Sequence, residues 1–393
     1  MSRPQLGPQH RVFACFFLFA AALGALLSRL PDLQLQLGLT ESQLGLMLIG
    51  MAIGSLVSLT LSTPWIERLG AKRTALLTVI GTAACYALVP WLPSAVLVFG
   101  VLFVAGFLAG MLEINLNLQA DRIEALLGRR VMNRAHGMWS LGFFVTALVA
   151  AGLRQAGLPV TVHTGIAFIL VVLVASLLLR RMTDAPVRPD ATAPVAGAPR
   201  LALPNLGLLP LCIIAVAAFL IEGTGIDWSV IYMRDTFDVA PFVGGLSLTL
   251  FTALMALGRL FADPVVDRFG PRAVATTMLA VAACGSLAIG LAPHPYVALC
   301  GFGLIGLGCS SVYPLAVSAA AQRTDRPSGV NVAALAQVSF VVFFLGPPLL
   351  GFVAEHFGIR LSYLLVLPVI VGGLLLTGAL APRRVGAVAA ADA

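Results

Sequence analysis

Twelve stretches of this chain stay apolar long enough to cross a hydrocarbon layer about 30 Å thick, which takes roughly twenty helical residues. They begin near Val12, Gln43, Thr74, Ala95, Ala135, His163, Leu206, Ala240, Ala273, Pro295, Val332 and Arg360. Within a bilayer the backbone finds no water to bond, so each run must satisfy its own amides as a helix. Composition agrees, since 59% of the residues are hydrophobic and only 10% are charged. Soluble domains carry roughly 25% charge, so a water-soluble globule is excluded. The expected fold class is an all-α membrane protein with twelve transmembrane helices.

The net charge of +7 would suit a nucleic-acid binder, but its distribution points elsewhere. With the N-terminus placed in the cytoplasm, the segments on that side carry Arg68, Lys72, Arg73, Arg122, Arg134, Arg180, Arg272 and most of the other cations. The opposite side holds only Arg29, Arg154, Arg234 and Arg360. A bias of roughly five to one puts both termini in the cytoplasm by the positive-inside rule. The expected partners are therefore the lipid bilayer and a small-molecule substrate, with no nucleic acid, and the chain is expected to act as a monomer. Cys15, Cys85, Cys212, Cys284, Cys300 and Cys309 all lie in apolar runs without metal-type spacing, so neither a disulfide nor a metal site is expected. Ser2 to Arg11 is a short basic lead with no cleavage pattern after the first run, so no signal peptide is expected.

The chain also contains itself twice. "STPWIERLGAKR" from Ser62 matches "ADPVVDRFGPR" from Ala262 at an offset of about 200, placing Pro64 on Pro264, Glu67 on Asp267, Arg68 on Arg268, Gly70 on Gly270 and Lys72 on Arg272. Gly45 and Leu46 match Gly245 and Leu246, and "GFLAG" at Gly106 matches "GLGCS" at Gly306. Such small residues let helices approach closely. Between the sixth and seventh runs, Thr183 to Asn205 is rich in Pro and Ala and reads as a linker. The expected organisation is a six-helix half over 1–182, a cytoplasmic linker over 183–205 and a second six-helix half over 206–393.

Two six-helix halves, each with a G-x-x-x-D-R-x-G-R-R-like loop after its second helix, resemble the major facilitator superfamily. "AHGMWSLG", "IEGTGIDWS" and "FFLGPPLLGFVAEHFGIR" are similar to a bacterial inner-membrane branch near the fucose-permease-like transporters. The resemblance implies that the acid of each loop closes the cytoplasmic side against a helix N-terminus of the opposite half, where about half a positive charge resides. Glu67 is then expected near Val332, and Asp267 near Arg134. Arg259, Asp263 and Asp267 recur every four residues and can form a ladder on one helix face. The first copy departs from the pattern, with Thr63 at the opening glycine and Glu67 in place of Asp.

Ionisable groups in a spanning helix are costly and mark function by default. The fourth run supplies Glu113, Asn117, Asp121 and Glu124 as one stripe: the first two are expected in a central cavity, with Asn117 a neutral partner for Glu113. Asp121 and Glu124 are expected as ion-pair partners of Arg130 and Arg134. The seventh run supplies Glu222, expected somewhat beyond the membrane middle toward the outside, with Asp227 and Trp228 a turn further and Gly223 and Gly225 allowing a bend. His136, Trp139, Tyr313 and Gln337 complete the expected cavity. Arg29 reads as either a gate residue or a topology marker, Trp65 and Trp91 as interfacial anchors, and "GPPLLG" at Gly346 as a kink rather than a contact. Arg259 is expected too near the cytoplasmic end to pair with Glu113, Glu222 or Asp227, so the cavity should be acidic or neutral.

These parts point to a secondary active transporter and not an enzyme. There is no nucleotide fingerprint and no cofactor is expected, with the proton as coupling ion. A proton-coupled symporter of a small polar solute is the first reading, and a proton-driven exporter of drugs or metabolites uses the same parts in reverse. A membrane enzyme lacks a nucleophile to pair with His136, and a receptor or scaffold would leave flux unchanged on deletion.

Overall fold

The computed structural model describes residues 7–128, 131–186 and 203–381. Twelve helices in it are long and apolar enough to span a membrane: α1 Pro8–Leu27, α2 Glu41–Leu61, α3 Thr63–Trp91, α4 Ala95–Leu127, α5 Arg134–Gln155, α6 Val160–Arg181, α7 Leu209–Thr236, α8 Pro241–Phe269, α9 Pro271–Gly290, α10 Pro295–Ala321, α11 Val330–Phe357 and α12 Ile359–Leu380. Local chemistry sets several of the starts. Thr40 and Gln43 close a reciprocal capping box at the head of α2, Ser94 caps α4, and Pro241 and Pro271 stand in the first turns of α8 and α9, where a missing N–H is harmless. Most of the expected linker, together with Arg129 and Arg130, lies outside the described residues.

The repeat is visible in backbone geometry. Gly70 has φ 73° and ψ 165°, and Gly270 has φ 80° and ψ 155°, so both copies of the charged loop turn through a left-handed conformation that favours glycine. Packing repeats at the same offset. A side chain at Gly106 on α4 would collide with the Met51 carbonyl on α2, and one at Gly306 on α10 with the Phe251 carbonyl on α8. In two further contacts the glycine changes sides: Gly110 faces Ser58 where Gly258 faces Ser310, and Gly54 faces Phe103 where Gly303 faces Leu254. The spacing of small residues is thus a packing code between α2 and α4 and between α8 and α10.

The first six and last six helices meet mainly where α5 packs on α8 and α2 on α11. Gly245 abuts Ala151 at the first seam and Gly45 abuts the Pro347 backbone at the second. The Gly346 stretch, expected only to kink its helix, therefore makes a cross-half contact inside a helix that continues through both prolines. At Gly223 and Gly225, where a bend is expected, no break interrupts α7. Its helix runs unbroken from Leu209 to Thr236, and Gly225 instead makes room for the Phe251 ring.

The end of the bundle opposite the Gly70 and Gly270 loops carries several cross-half bonds. Arg234 donates to Gln34 Oε1 (2.9 Å) and to the Pro31 carbonyl (3.3 Å), Ser42 N–H donates to Glu355 (3.1 Å) and Phe242 N–H to Gln155 Oε1 (3.1 Å). Arg29 belongs to this end and not to the central cavity. It is buried, paired with Asp32, and donates to the Leu158 carbonyl at 2.7 Å, while Arg154 holds the other Asp32 oxygen at 2.9 Å.

Candidate functional site

Half-way along the bundle, side chains from both sets of six helices converge on Arg259. Its Nη2 bonds both oxygens of Glu222 at 3.2 Å, its Nη1 donates to Ser140 Oγ on α5 at 2.9 Å, and its Nε donates to the Ser310 carbonyl on α10 at 3.4 Å. The guanidinium also lies over the Trp139 ring, 5.9 Å from its centroid, where the ring face attracts a cation. Arg259 and Glu222 side chains are only 15% and 13% exposed, so this is a largely buried ion pair.

This corrects the placement of Arg259 with the cytoplasmic loop. Glu222 stands thirteen residues into α7 from Leu209, and Arg259 ten residues from the end of α8 at Phe269. At 1.5 Å per residue these are depths of about 20 Å and about 15 Å from the same end, a gap that an arginine side chain spans. Apolar runs underestimate the helices, which continue beyond them toward the Gly70 and Gly270 end. Glu222 is accordingly at the middle of its 28-residue helix, not beyond it.

Across from this pair, Glu113 on α4 lies within Coulombic reach of Glu222 and of Tyr313. It faces the last six helices. Among the described residues it has no hydrogen-bond or ion-pair partner, and Asn117, one turn on, has a buried Oδ1 that likewise accepts nothing. The expected bond between the two is therefore not made. His136 packs its ring on Phe16 (5.1 Å), Trp139 on Phe143 (5.5 Å) and Tyr313 on Phe219 (4.4 Å). Gln337 is half-buried on α11.

Other expected residues lie apart. Asp227 lines a void of about 10 Å³ with Phe219, Gly223, Gly346 and Pro347, scarcely a water's space. Trp228 is 1% exposed and packs toward Gly351 of α11, with its Nε1 unbonded. A larger cleft of about 370 Å³ opens at the far end beside Arg154, Arg234 and Asp238, and it contains none of the central groups.

At the charged loops, Glu67 is exposed without a hydrogen-bond or ion-pair partner among the described residues, and Arg68, Lys72, Asp267, Arg268 and Arg272 are exposed as well. Asp263 is half-buried. Two acids that the pattern did not single out for this role cap helix starts here. Asp184 accepts from the Ala71 N–H at 2.6 Å, just after the Gly70 turn. Glu124 accepts from the N–H groups of Val131 and Met132 at 2.7 and 3.1 Å. Glu124 thus neutralises the start of the fifth helix by capping it. Trp65 and Trp91 are 56% and 69% exposed at span ends, in keeping with anchors. All six cysteines are free.

The sequence model of the Major Facilitator Superfamily matches residues 12–226 and again residues 210–391. An uncharacterized transporter of Sinorhizobium fredii, y4wD, is 32% identical over 367 residues, covering 93% of this chain and 96% of that protein. The membrane protein MosC of Rhizobium meliloti is 26% identical over 360 residues, covering 90% and 85%. Among solved structures, the nucleoside transporter NupG superposes with a TM-score of 0.68 at 14% identity, over 95% of this chain and 98% of that one. The Escherichia coli fucose:proton symporter FucP does so at 0.66 and 16%, over 96% and 99%. At such identities the structural likeness speaks for the fold.

Proposed function

The chain belongs to the Major Facilitator Superfamily, and from that premise we propose a secondary active transporter that carries a small polar solute by alternating access and couples it to protons. The observation that carries this reading is the convergence of Glu113, Ser140, Glu222 and Arg259 from opposite halves at half depth. Groups so costly to bury are kept in a membrane where a solute or ion passes. The two halves, 1–182 and 206–393, rock about this site. The basic Gly70 and Gly270 loops face the cytoplasm of a bacterial cell, with the protein in its inner membrane, and Glu67 and Asp267 engage opposite helix ends when that side closes.

Proton symport is the first reading. Glu113, free of a partner cation among the described residues, takes the proton while a neutral solute binds toward Tyr313. Exchange is the second, favoured by one observation: a lone carboxylate holds a proton or a cationic solute, but not both. Proteoliposomes with an imposed pH gradient separate the two. Under symport, acid outside drives solute in, and Glu113→Gln still equilibrates solute without concentrating it. Under exchange, acid outside drives solute out, and Glu113→Gln loses binding. Flux equal to that of empty liposomes for every solute offered would defeat the transport reading itself.

A further inference from the structure

We infer that the cleft of about 370 Å³ at the end opposite the Gly70 and Gly270 loops is a second ligand site, which takes a small zwitterion and, by touching both halves, holds that end shut. Its volume lies in the range of small-molecule sites, about 300–1,000 Å³. Its walls come from both sides of the molecule. Arg154 stands at the end of α5, whereas Arg234, Asp235 and Asp238 belong to the end of α7 and the turn into α8. The rim is already bridged, since Gln155, next to Arg154, accepts from the Phe242 N–H at 3.1 Å.

The ligand class follows from which charges are spent. Arg234 is committed through Nε to Asp235, through Nη1 to the Pro31 carbonyl and through Nη2 to Gln34. Arg154 uses only Nε, on Asp32, and its Nη1 and Nη2 make no hydrogen bond among the described residues. Asp238 is exposed and has no hydrogen-bond or ion-pair partner among them. The cleft thus offers one open guanidinium fork from the first half and one open carboxylate from the second, which suits an anionic and a cationic group on one molecule. The charge balance agrees. In the wall two arginines face two aspartates, and behind it Arg29 and Arg360 stand against Asp32 and Glu41, with His163 beside Asp32 neutral. A lone anion would leave Asp235 and Asp238 facing a like charge, and a lone cation would do the same to Arg154 and Arg234, whereas a zwitterion keeps the sum at zero. Backbone N–H and C=O groups of the turn serve either end and leave the balance unchanged. These contacts are partly exposed, so the affinity is millimolar in scale. A ligand that spans Arg154 and Asp238 touches both halves only while this end is closed, and that differential affinity shifts the population toward the closed form. The site stands without the transport reading; only its effect on a transport cycle rests on it.

The test uses purified full-length protein and two matched sets at equal ionic strength: 4-aminobutyrate with butyrate and butylamine, and alanine with propionate and ethylamine. Each set keeps a scaffold and removes one charge at a time, and a ligand that binds the native state alone raises Tm. The expected result is that a zwitterion raises Tm and its singly charged partners do not. Asp238→Asn, which takes away a group with no partner to lose, should keep the unliganded Tm and abolish the shift. Asp238→Lys should transfer the shift to the anion of the same set. Glu113→Gln should keep the zwitterion shift, which separates this cleft from the central site. Closure is read from Gln155→Cys combined with Phe242→Cys: a short bifunctional maleimide should cross-link the pair faster when the zwitterion is present, judged against each single cysteine. The inference is overturned if a singly charged member shifts Tm as much, if neither zwitterion shifts it, if Asp238→Asn keeps the shift, if Glu113→Gln loses it, or if the zwitterion leaves cross-linking unchanged or slows it. Both readouts work whether or not the protein carries any solute, so they hold or fail apart from the transport reading.

Discussion

Glu113 and Glu222 are two carboxylates at similar depth, one on each side of the same space, and they keep opposite company. Glu222 is held by both oxygens on a guanidinium that is itself tied to two other helices. Glu113 is held by nothing among the described residues. The difference teaches that a buried acid has two distinct uses in such a chain. A paired acid fixes geometry, since both charges are satisfied and separating them is expensive. An unpaired acid keeps its binding capacity for something that comes and goes.

The widest test of this contrast is Arg259→Ala, which leaves Glu222 buried and uncompensated. Breaking one side of a buried pair costs about 3–5 kcal/mol, so a large drop in Tm is expected in detergent-solubilised protein. Adding Glu222→Gln to it should recover much of the loss. A double variant no more stable than Arg259→Ala would show that the pair is not the stabilising unit. Ser140→Ala comes next, at about 1.5–3 kcal/mol for one hydrogen bond to a charged donor across the halves. Equal Tm would mean that Arg259 acts within its own half alone. Glu113→Gln should leave Tm unchanged or slightly raise it, because it removes a charge that has no partner to lose. A fall comparable to that of Arg259→Ala would erase the distinction between the two acids.

The smallest effect lies outside the spans. Asp325, in the loop between α10 and α11, accepts from Arg323, Asn205 and Asn331, and these contacts, led by Arg323, hold its carboxyl well below the usual carboxylate range. A depressed folded pKa contributes stability that is present above the unfolded value of about 3.9 and fades as pH falls toward the folded one. Protease cleavage near Asn205, which this loop ties down, should therefore stay slow at neutral pH and rise only in strong acid. A rise already near pH 6 would place the restraint elsewhere.

Much of the fold was legible because its signals are local. Apolar length marks a span wherever it occurs, and Gly106 and Gly306 announce close helix contact by spacing alone. The charged loops were legible too, since Gly70 and Gly270 sit at one offset and both turn through positive φ. The company that polar groups keep was not. Arg259 was read with Asp263 and Asp267 because they share a helix face, yet a long side chain reaches along the bundle to Glu222 on another helix. The available signal was its distance from the helix end at Phe269, ten residues and more than an apolar run suggests. Glu124 and Asp184 were hidden for a different reason: each bonds backbone N–H groups, and a backbone partner has no letter in the sequence.

The exchanged glycines have a consequence for building hybrids of this protein. Ser58 against Gly110 and Gly258 against Ser310 occupy equivalent contacts with bulk on opposite sides, and Gly54 against Phe103 mirrors Leu254 against Gly303. A chimera that transplanted α10 into the place of α4 would set Ser310 against Ser58, where one must shift, and Gly303 against Gly54, where a gap opens. Moving α8 and α10 together keeps each protrusion with its notch. The smallest exchangeable module is therefore a helix pair, and a change at one of these positions constrains its contact partner before any other residue.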